Sequence, residues 1–297
     1  FKKLLKTVDV FIHNMRPQAA ARLGLTYDQL KHEQPNLIYC AAYGYQADGP
    51  YGNKAAYDDM IQAASGLTTI QAEDGTPPVF VKQLLGDKIT GIYTALAVGM
   101  ALFYREKTGL GQDIEVPMFE TLTSFNAMEH LFGLTHIPQK GPEGYTRARS
   151  KQRRPHATQD GFIAVLPYVD KQWRAFFDIA GIPELMDDPV FATYDSRIKN
   201  IDEVYERMGE LVKLKTTDEW LSALDEKSVP AMRVNSLTDL IDDPHLEATG
   251  FWQIWEDEKL GKIRMPSFPV NFSKGNNKIY RRAPYLGEHN EEILGSL

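Results

Sequence analysis

The sequence is poor in cysteine, with a single one, Cys40, among its 297 residues. A lone thiol has no partner for a disulfide within the chain, which excludes a disulfide-stabilised secreted scaffold. No signal-peptide pattern follows Phe1. We therefore expect a reducing, cytoplasmic location.

Positive charge and long apolar runs are also scarce. The formal net charge is −7 at pH 7, whereas binding to the phosphate backbone of nucleic acids requires a basic surface. No apolar run approaches the roughly 18–20 residues that a membrane span needs. We therefore expect neither a nucleic-acid partner nor a membrane partner.

The common cofactor and metal motifs are missing as well. The seven histidines show no HxxxH or HExxH spacing, and there is no second cysteine to complete a zinc site. GxGxxG, Walker A and GxSxG motifs are absent too, which argues against a dinucleotide, ATP or serine-hydrolase site. The sequence thus predicts no bound metal and no bound cofactor.

The first part of the chain has the pattern of a parallel α/β unit. A β-rich apolar segment, VDVFIHN (8–14), is followed by Pro17 and a short predicted helix that ends at Gly24. Thr26 can cap a second helix, and a further strand is predicted over 37–43. Strand, helix and strand at this spacing predict parallel strands.

A long apolar helix is predicted over about 87–105, because Ile89, Ile92, Leu96 and Met100 recur at helical spacing. A short strand over 79–81 is predicted before it. The character of the chain then changes at Gly141, where a polar, basic stretch begins, and a second unit of helices and short strands follows.

Asp87 is the most informative candidate residue. It follows Gly86 at the start of the long predicted helix, where free N–H groups and the helix dipole favour a negative charge by about 0.3–1 kcal/mol. An ionised carboxylate there can act as a nucleophile in acyl transfer. Aspartate is also a common helix cap, so this position alone leaves both interpretations open.

Two further groups have ordinary explanations of their own. Tyr57, Asp58 and Asp59 open a predicted helix, where paired acids commonly complement the helix dipole. The basic cluster from Arg147 to Arg154 can bind phosphates or a substrate carboxylate, or it can be a solvated loop.

Four stretches, in order, resemble the family III CoA-transferases, which include formyl-CoA transferase, carnitine CoA-transferase and the α-methylacyl-CoA racemases. Residues 8–30 resemble the family's strand–NxRPG–helix segment, and residues 35–66 its next strand, loop and helix. Residues 84–122 are similar to the stretch that carries the nucleophile. APYLGEHNEEIL (283–294) resembles the PxLGxHxxxVL signature.

The resemblance implies a CoA-transferase whose substrates are an acyl-CoA thioester and a carboxylic acid acceptor. Asp87 falls on the family's catalytic aspartate, which attacks the thioester to give a mixed anhydride and then an aspartyl thioester of CoA. The resemblance also places CoA and substrate binding at Asn14, Met15, Arg16, Arg22, Ala56, Tyr57 and Asp58.

The fold implied by the resemblance is α/β, with a Rossmann-like large domain plus a smaller α+β domain in an interlocked homodimer. Residues 1–140 are expected to form the first part of the large CoA-binding domain, and residues 141–245 a linker and the small domain. Residues 246–297 are expected to return to the large domain. The family's N-terminal strand–helix–strand, which supplies part of the CoA site, is expected to be missing before Phe1.

The sequence departs from the family at the glycine-rich loop that covers the aspartate in formyl-CoA transferase. The corresponding stretch, 149–168, begins with basic residues instead. We therefore expect a dicarboxylyl donor such as succinyl-CoA rather than formyl-CoA or oxalyl-CoA. Its free carboxylate is expected to meet Arg149, Arg153 or Arg154.

Two alternatives of related ancestry remain open. A racemase would need an acid–base pair, and its histidine is replaced here by Tyr57, whose ordinary pKa near 10 makes it a poor base. A catalytically silent CoA-binding homologue would have no need to keep Asp87. An unrelated Rossmann dehydrogenase is disfavoured because the glycine fingerprint is missing.

Overall fold

The computed structural model describes residues 1–275, 279–295 and 297. The chain divides into two compact units: residues 1–151 together with Leu297, and residues 152–296. Residues 141–151, predicted to belong to a linker, thus lie in the first unit. Residues 246–275 and 279–295 lie in the second.

The first unit is built on a three-stranded parallel sheet. Its strands are β1 (Val10–His13), β2 (Ile38–Tyr43) and β3 (Gln112–Pro117), in the spatial order β1-β2-β3. Val10 pairs with Ile38, and Ile38 in turn pairs with Gln112. The central strand β2 is almost entirely buried, as expected for a parallel strand covered on both faces. The predicted parallel α/β unit is therefore present.

The described part of the first unit contains eight α-helices. They are α1 (Lys2–Leu5), α2 (Pro17–Leu23), α3 (Tyr27–Leu30), α4 (Asp58–Ala64), α5 (Leu67–Gln71), α6 (Leu85–Thr108), α7 (Met118–His130) and α8 (Thr146–Arg149). A short 3₁₀ helix, Phe132–Thr135, follows α7.

Local signals explain where several of these helices begin and end. Pro17 is the first residue of α2, and Gly24 ends it with φ 73°, a left-handed conformation that glycine adopts without strain. Thr26 and Gln29 form a reciprocal capping box at the start of α3. The long helix α6 ends at Gly109 in the same left-handed way as α2.

The core of the first unit consists of two apolar clusters. One lies beside the sheet and contains Leu5, Leu30, Leu37, Tyr39, Ala41 and Tyr43. The other joins α4, α5, α6 and α7 through Ile61, Leu67, Ile89 and Leu122, together with Tyr45. The second cluster fixes the start of α6 against α4, which positions the candidate nucleophile.

The strand predicted over 79–81 is wrong: the segment is an irregular loop. Its backbone groups are satisfied elsewhere, since Val81 N–H donates to the side-chain oxygen of Gln62 (3.0 Å) and Val79 N–H donates to Thr68 O (3.1 Å). A buried side chain thus takes the place that a neighbouring strand would have occupied.

The second unit has an antiparallel sheet of β4 (His156–Ala157), β5 (Phe162–Val165) and β6 (Ala231–Arg233), and a hairpin of β7 (Trp252–Asp257) and β8 (Gly261–Pro266). Its helices are α9 (Asp170–Ala180), α10 (Tyr194–Lys199), α11 (Ile201–Val212), α12 (Thr217–Glu226), α13 (Pro244–Ala248) and α14 (Asn290–Leu294).

An aromatic core holds the second unit together. The rings of Phe176 and Trp220 stack at 5.2 Å, and Phe177 packs edge-on against Phe191 at 5.0 Å. All four side chains are fully buried. The Trp220 ring N–H donates to Val212 O (2.8 Å), so this large ring is buried without an unpaired donor.

The segment that carries the YLGEH sequence is attached to the β7–β8 hairpin. The Tyr285 hydroxyl donates to Asp257 Oδ1 (2.5 Å). Arg282 forms ion pairs with Asp257 (Nε to Oδ2, 2.5 Å) and with Glu288 (Nη2 to Oε1, 2.8 Å). Within the described residues, β7 and β8 pair with each other and with no other strand. The return of residues 246–297 to the large domain stays a prediction.

No helix in the described part of the chain combines the length and the apolar character that crossing a membrane requires.

Candidate active site

A cavity of about 620 Å³ lies within the first unit, at the carboxyl ends of its parallel strands. Asn14 and Arg16 follow β1, Gly44 follows β2, and Met118 follows β3; all four line the cavity. Residues 54–57 and the first half of α6 form the other walls. The carboxyl edge of a parallel sheet is where α/β proteins commonly bind ligands, because the loops that diverge there leave a crevice.

The cavity brings together five of the predicted site residues: Asn14, Arg16, Ala56, Tyr57 and Asp87. These come from three separate parts of the chain, the loop after β1, the start of α4 and the start of α6.

Three other predicted residues do not line this cavity. Met15 lies between two lining residues, and its backbone N–H is bound to His13 (3.1 Å). Arg22 is exposed in the last turn of α2. Asp58 is buried directly behind Asp87.

The basic residues of the predicted substrate loop are divided between the two units. Arg149 lies in the first unit, where it forms ion pairs with Asp74 and with Glu143 (3.8 Å). Arg153 and Arg154 lie in the second unit. Because its charge is already compensated by two carboxylates, Arg149 is the least available of the three arginines.

Asp87 is the third residue of α6, and Leu84 occupies the N-cap position. Asp87 is therefore a first-turn acid rather than the capping residue, a position that the helix dipole by itself favours. Its side chain is largely accessible to solvent and borders the cavity.

The pKa of the Asp87 carboxyl group is raised, first because the surrounding protein partly removes it from water and then because the charge of Asp58 is nearby. This effect opposes the helix dipole, which alone would lower that pKa.

Asp58 fixes the backbone of Asp87. Its Oδ1 accepts the Asp87 N–H (3.1 Å), and its Oδ2 accepts a hydrogen bond from Gln62 Nε2 (2.5 Å). Gln62 also donates to Gln83 O (2.9 Å), so α4 binds the segment that leads into α6. Asp58 and Gln62 are 4% and 1% exposed. The position of this candidate nucleophile is therefore supported by a buried polar network rather than by a flexible loop.

Small residues allow the walls of the site to approach one another. A Cβ atom on Gly86 would lie 3.1 Å from Asp58 Oδ1, so a larger residue there would crowd the contact between α4 and α6. A Cβ atom on Gly44 would lie 2.5 Å from the Ala56 Cβ. Both glycines keep the segments beside Asp87 in place through close packing.

Lys54 is a cavity residue that the sequence analysis missed. Its Nζ lies over the Tyr51 ring, 4.0 Å from the centroid, so an aromatic face holds the cation at the cavity wall. Together with Arg16 it gives the cavity two cationic side chains. The available signal was its position in the sequence, at the end of the GPYGNK loop and three residues before Tyr57.

No group of three or more His, Cys, Asp or Glu side chains within residues 1–275, 279–295 and 297 is arranged to hold a metal ion. The ionisable side chains that line the cavity are one carboxylate (Asp87), two tyrosines (Tyr43 and Tyr57) and two cations (Arg16 and Lys54).

The sequence profile of CoA-transferase family III matches residues 1–290. The chain belongs to CoA-transferase family III. It is 30% identical to a succinate–glutarate CoA-transferase from Agrobacterium fabrum over 100% of this chain and 74% of the relative. It is 28% identical to the human succinyl-CoA:glutarate CoA-transferase, over 99% of this chain and 67% of the relative.

A solved family structure has the same fold. The crystal structure of Rv3272 from Mycobacterium tuberculosis superposes with a TM-score of 0.84 at 25% identity, over 98% of this chain and 78% of that one. The family resemblance drawn from the sequence is confirmed, and the chain is an enzyme that transfers CoA.

Proposed function

We propose that this family III enzyme moves CoA from an acyl-CoA to a carboxylic acid through a covalent intermediate on Asp87. The observation that carries the proposal is the Asp87 carboxylate, which borders a cavity of about 620 Å³ while its backbone is held by buried Asp58. Within the cavity lining, Asp87 is the carboxylate that can serve as a nucleophile.

The proposed reaction proceeds by exchange at carbonyl carbons. A carboxylate oxygen of Asp87 attacks the thioester carbon, the C–S bond breaks, and CoA leaves as a thiolate while the acyl group remains on Asp87 as a mixed anhydride. The thiolate then attacks the Asp87 carbonyl carbon, which releases the donor acid as a carboxylate and leaves an aspartyl–CoA thioester. The acceptor carboxylate repeats both steps in reverse, and Asp87 is regenerated as a carboxylate.

CoA is proposed to bind along the wall formed by the loop after β1 and the segment before α4. Arg16 and Lys54 supply positive charge at the cavity, which suits a diphosphate because each cation can form charge-assisted hydrogen bonds. Asn14, Met15, Ala56 and Tyr57 are proposed to contact the rest of the thioester. The exposed guanidinium of Arg22 is proposed to contact a CoA phosphate.

We propose a dicarboxylyl donor such as succinyl-CoA. Two curated relatives carry names that specify succinate or succinyl-CoA together with glutarate, and residues 147–154 form a basic segment. The distal carboxylate of the donor is proposed to meet Arg153 or Arg154. Arg149 could take that role only by exchanging its partners Asp74 and Glu143.

A homodimer is also part of the proposal. Ile92, Leu96, Met100 and Phe103 lie on one face of α6, and each is more than half exposed. A contiguous apolar face of this kind commonly marks an interface, and a second copy of the chain is the proposed occupant. Sedimentation velocity should show a dimer that Leu96→Glu weakens; a monomeric parent protein would contradict the proposal. A cytoplasmic location is proposed from the single buried thiol of Cys40.

The covalent step is tested by trapping. The protein is incubated with a panel of acyl-CoAs that includes succinyl-CoA, treated with hydroxylamine, and mapped by mass spectrometry. We expect a hydroxamate on Asp87, absent in Asp87→Asn and present in the control Asp59→Asn, which changes an exposed acid of α4.

The other outcomes separate the competing functions. No adduct, together with exchange of the α-proton into deuterated water, would replace the transferase with a racemase. Binding of CoA with neither adduct nor exchange would identify a silent homologue. An unchanged Michaelis constant for succinyl-CoA in both Arg153→Ala and Arg154→Ala would contradict the assigned carboxylate contact.

A further inference from the structure

His13 lies at the end of β1, directly before the loop that lines the cavity. Its Nδ1 faces the backbone N–H of Met15 at 3.1 Å. Its Nε2 lies 2.5 Å from the Tyr39 hydroxyl, which in turn donates to Leu25 O (2.9 Å). The imidazole thus joins the end of β1, the central strand β2 and the loop of residues 14–16.

The partners define which nitrogen carries the proton. A backbone N–H can only donate, so Nδ1 must accept and therefore be unprotonated. The single hydroxyl proton of Tyr39 is directed to Leu25 O, so the hydroxyl oxygen accepts from Nε2. The hydrogen bonds are consistent only with the neutral imidazole that has its proton on Nε2.

The surroundings favour the neutral state. The His13 ring packs against Phe11 at 5.5 Å and against Tyr39 at 5.1 Å. Burial lowers the pKa of the imidazole. Tyr39, whose own pKa is raised to about 12 first by burial and then by Asp113 on β3, stays neutral. On the side of α3, the group that packs against Tyr39 is the uncharged phenol of Tyr27.

We infer that His13 is a positioning residue: as a neutral Nε2–H imidazole it holds the Met15 backbone, and with it Asn14 and Arg16, in the conformation that lines the cavity. The expected effect on CoA binding rests on the proposed function. His13 itself does not line the cavity, so its role is exerted through the loop and not by contact with the thioester.

Acid should release the loop. Protonation would place a hydrogen on Nδ1 opposite the Met15 N–H, so that two donors would face each other. The folded-state pKa lies below the ordinary value of 6.5, so the unfolded chain takes up this proton first. The contribution of His13 to stability is therefore complete above about pH 6.5 and decreases as the pH falls below it.

The tautomer is the first measurement. Long-range ¹H–¹⁵N spectra of the ¹⁵N-labelled protein at pH 7.5, assigned by loss of the signals in His13→Phe, should show an unprotonated Nδ1 and a protonated Nε2. An Nδ1–H tautomer, or a charged ring at this pH, would overturn the inference. This measurement requires no substrate and no activity.

The second measurement separates positioning from chemistry. In His13→Phe we expect the Kd for CoA and the KM for acyl-CoA to rise roughly 5-fold to 150-fold, since an orphaned N–H costs about 1–3 kcal/mol, while kcat changes little. His13→Asn, which retains a short acceptor beside the Met15 N–H, should recover part of the loss. The control His32→Phe changes an exposed histidine and should leave both constants unchanged.

Amide hydrogen exchange at Met15 makes the inference testable apart from the proposed function. Faster exchange in His13→Phe than in His32→Phe would support the positioning role even if the protein bound no CoA. Unchanged Met15 exchange together with an unchanged Kd would overturn it. Should His13→Phe not fold, Met15 exchange is measured on the parent protein between pH 7.5 and 5.5 and compared with the intrinsic exchange rate at each pH. The resulting protection factor should fall as the pH is lowered, and a constant protection factor would overturn the inference.

Discussion

Gly44→Ala provides a quantitative test of how the site is packed. The added Cβ would lie 2.5 Å from the Ala56 Cβ, whereas carbon atoms in contact are normally about 3.5–4.0 Å apart. The end of β2 and the segment before α4 would therefore have to separate by about 1 Å or more. Overpacking of this kind typically costs about 1–3 kcal/mol, and here it would displace Tyr57 at the cavity wall.

The compensating change is Ala56→Gly. In the double variant the new Cβ would face the Cα of residue 56 at 3.8 Å and its N at 3.9 Å, both of which are ordinary contacts. The destabilisation by Gly44→Ala should then disappear against the Ala56→Gly background, which gives a coupling free energy of about 1–3 kcal/mol. Gly91→Ala is the control for overpacking, because apart from its chain neighbours and its own helix backbone no atom lies within 4 Å of its Cβ position.

The assay must report on the first unit. All four tryptophans (173, 220, 252 and 255) lie in the second unit, so their fluorescence does not report directly on this packing. Hydrogen exchange of peptides from residues 1–151 in increasing urea supplies the free energy of unfolding instead. Gly44→Ala with the stability of the parent protein, or a double variant no more stable than Gly44→Ala, would refute the packing argument.

Three further predictions concern charge and packing elsewhere. Asp58→Asn keeps an oxygen for the Asp87 N–H but removes the charge that helps raise the Asp87 pKa. The acid limb of the pH–rate profile for CoA transfer should therefore move to lower pH, and an unchanged acid limb would contradict this. Gly209→Ala should destabilise the second unit by about 1–3 kcal/mol, because its Cβ would lie 2.7 Å from His156 Nδ1; tryptophan fluorescence in urea measures this, with Ser222→Ala, at an exposed position of α12, as control. The hydrogen bond from Tyr285 is the main cause that lowers the pKa of Asp257 to about 2. The contribution of the Asp257 carboxylate to stability is therefore present above about pH 4 and is lost as the pH falls towards 2. Asp257→Asn should flatten acid unfolding in that interval, and an unchanged acid transition would count against the assignment.

Much of the local structure was predictable because it depends on residues close together in the chain. The apolar segments of β1 and β2 and the helical spacing in α6 predicted those elements. Gly24 and Gly109 end helices in a left-handed conformation, which a residue without a Cβ adopts most easily. The same local pattern placed Asp87 at the start of the long helix. The order of the motifs was sufficient to identify the family, which the profile match over residues 1–290 confirms.

The support behind Asp87 was not predictable in this way. Asp58 and Asp87 are separated by 29 positions, and nothing near Asp58 in the sequence distinguishes a buried acceptor from an exposed first-turn acid. The strand expected over 79–81 failed for a related reason, since Gln62, 19 residues earlier than Val81, binds its backbone. Both the support of Asp87 and the loop conformation of residues 79–81 depend on how α4 packs against α6.

The sequence by itself therefore determined the elements, the family and the position of the candidate nucleophile. Only the tertiary structure decided which side chains surround that nucleophile: Lys54 joins Arg16 at the cavity, Arg149 pairs with Asp74 instead of remaining free, and His13 binds the Met15 backbone. Helix and strand patterns arise from contacts over a few residues, and are therefore visible in the sequence. Hydrogen bonds and close packing between distant segments depend on register and approach, which are fixed only when the chain has folded.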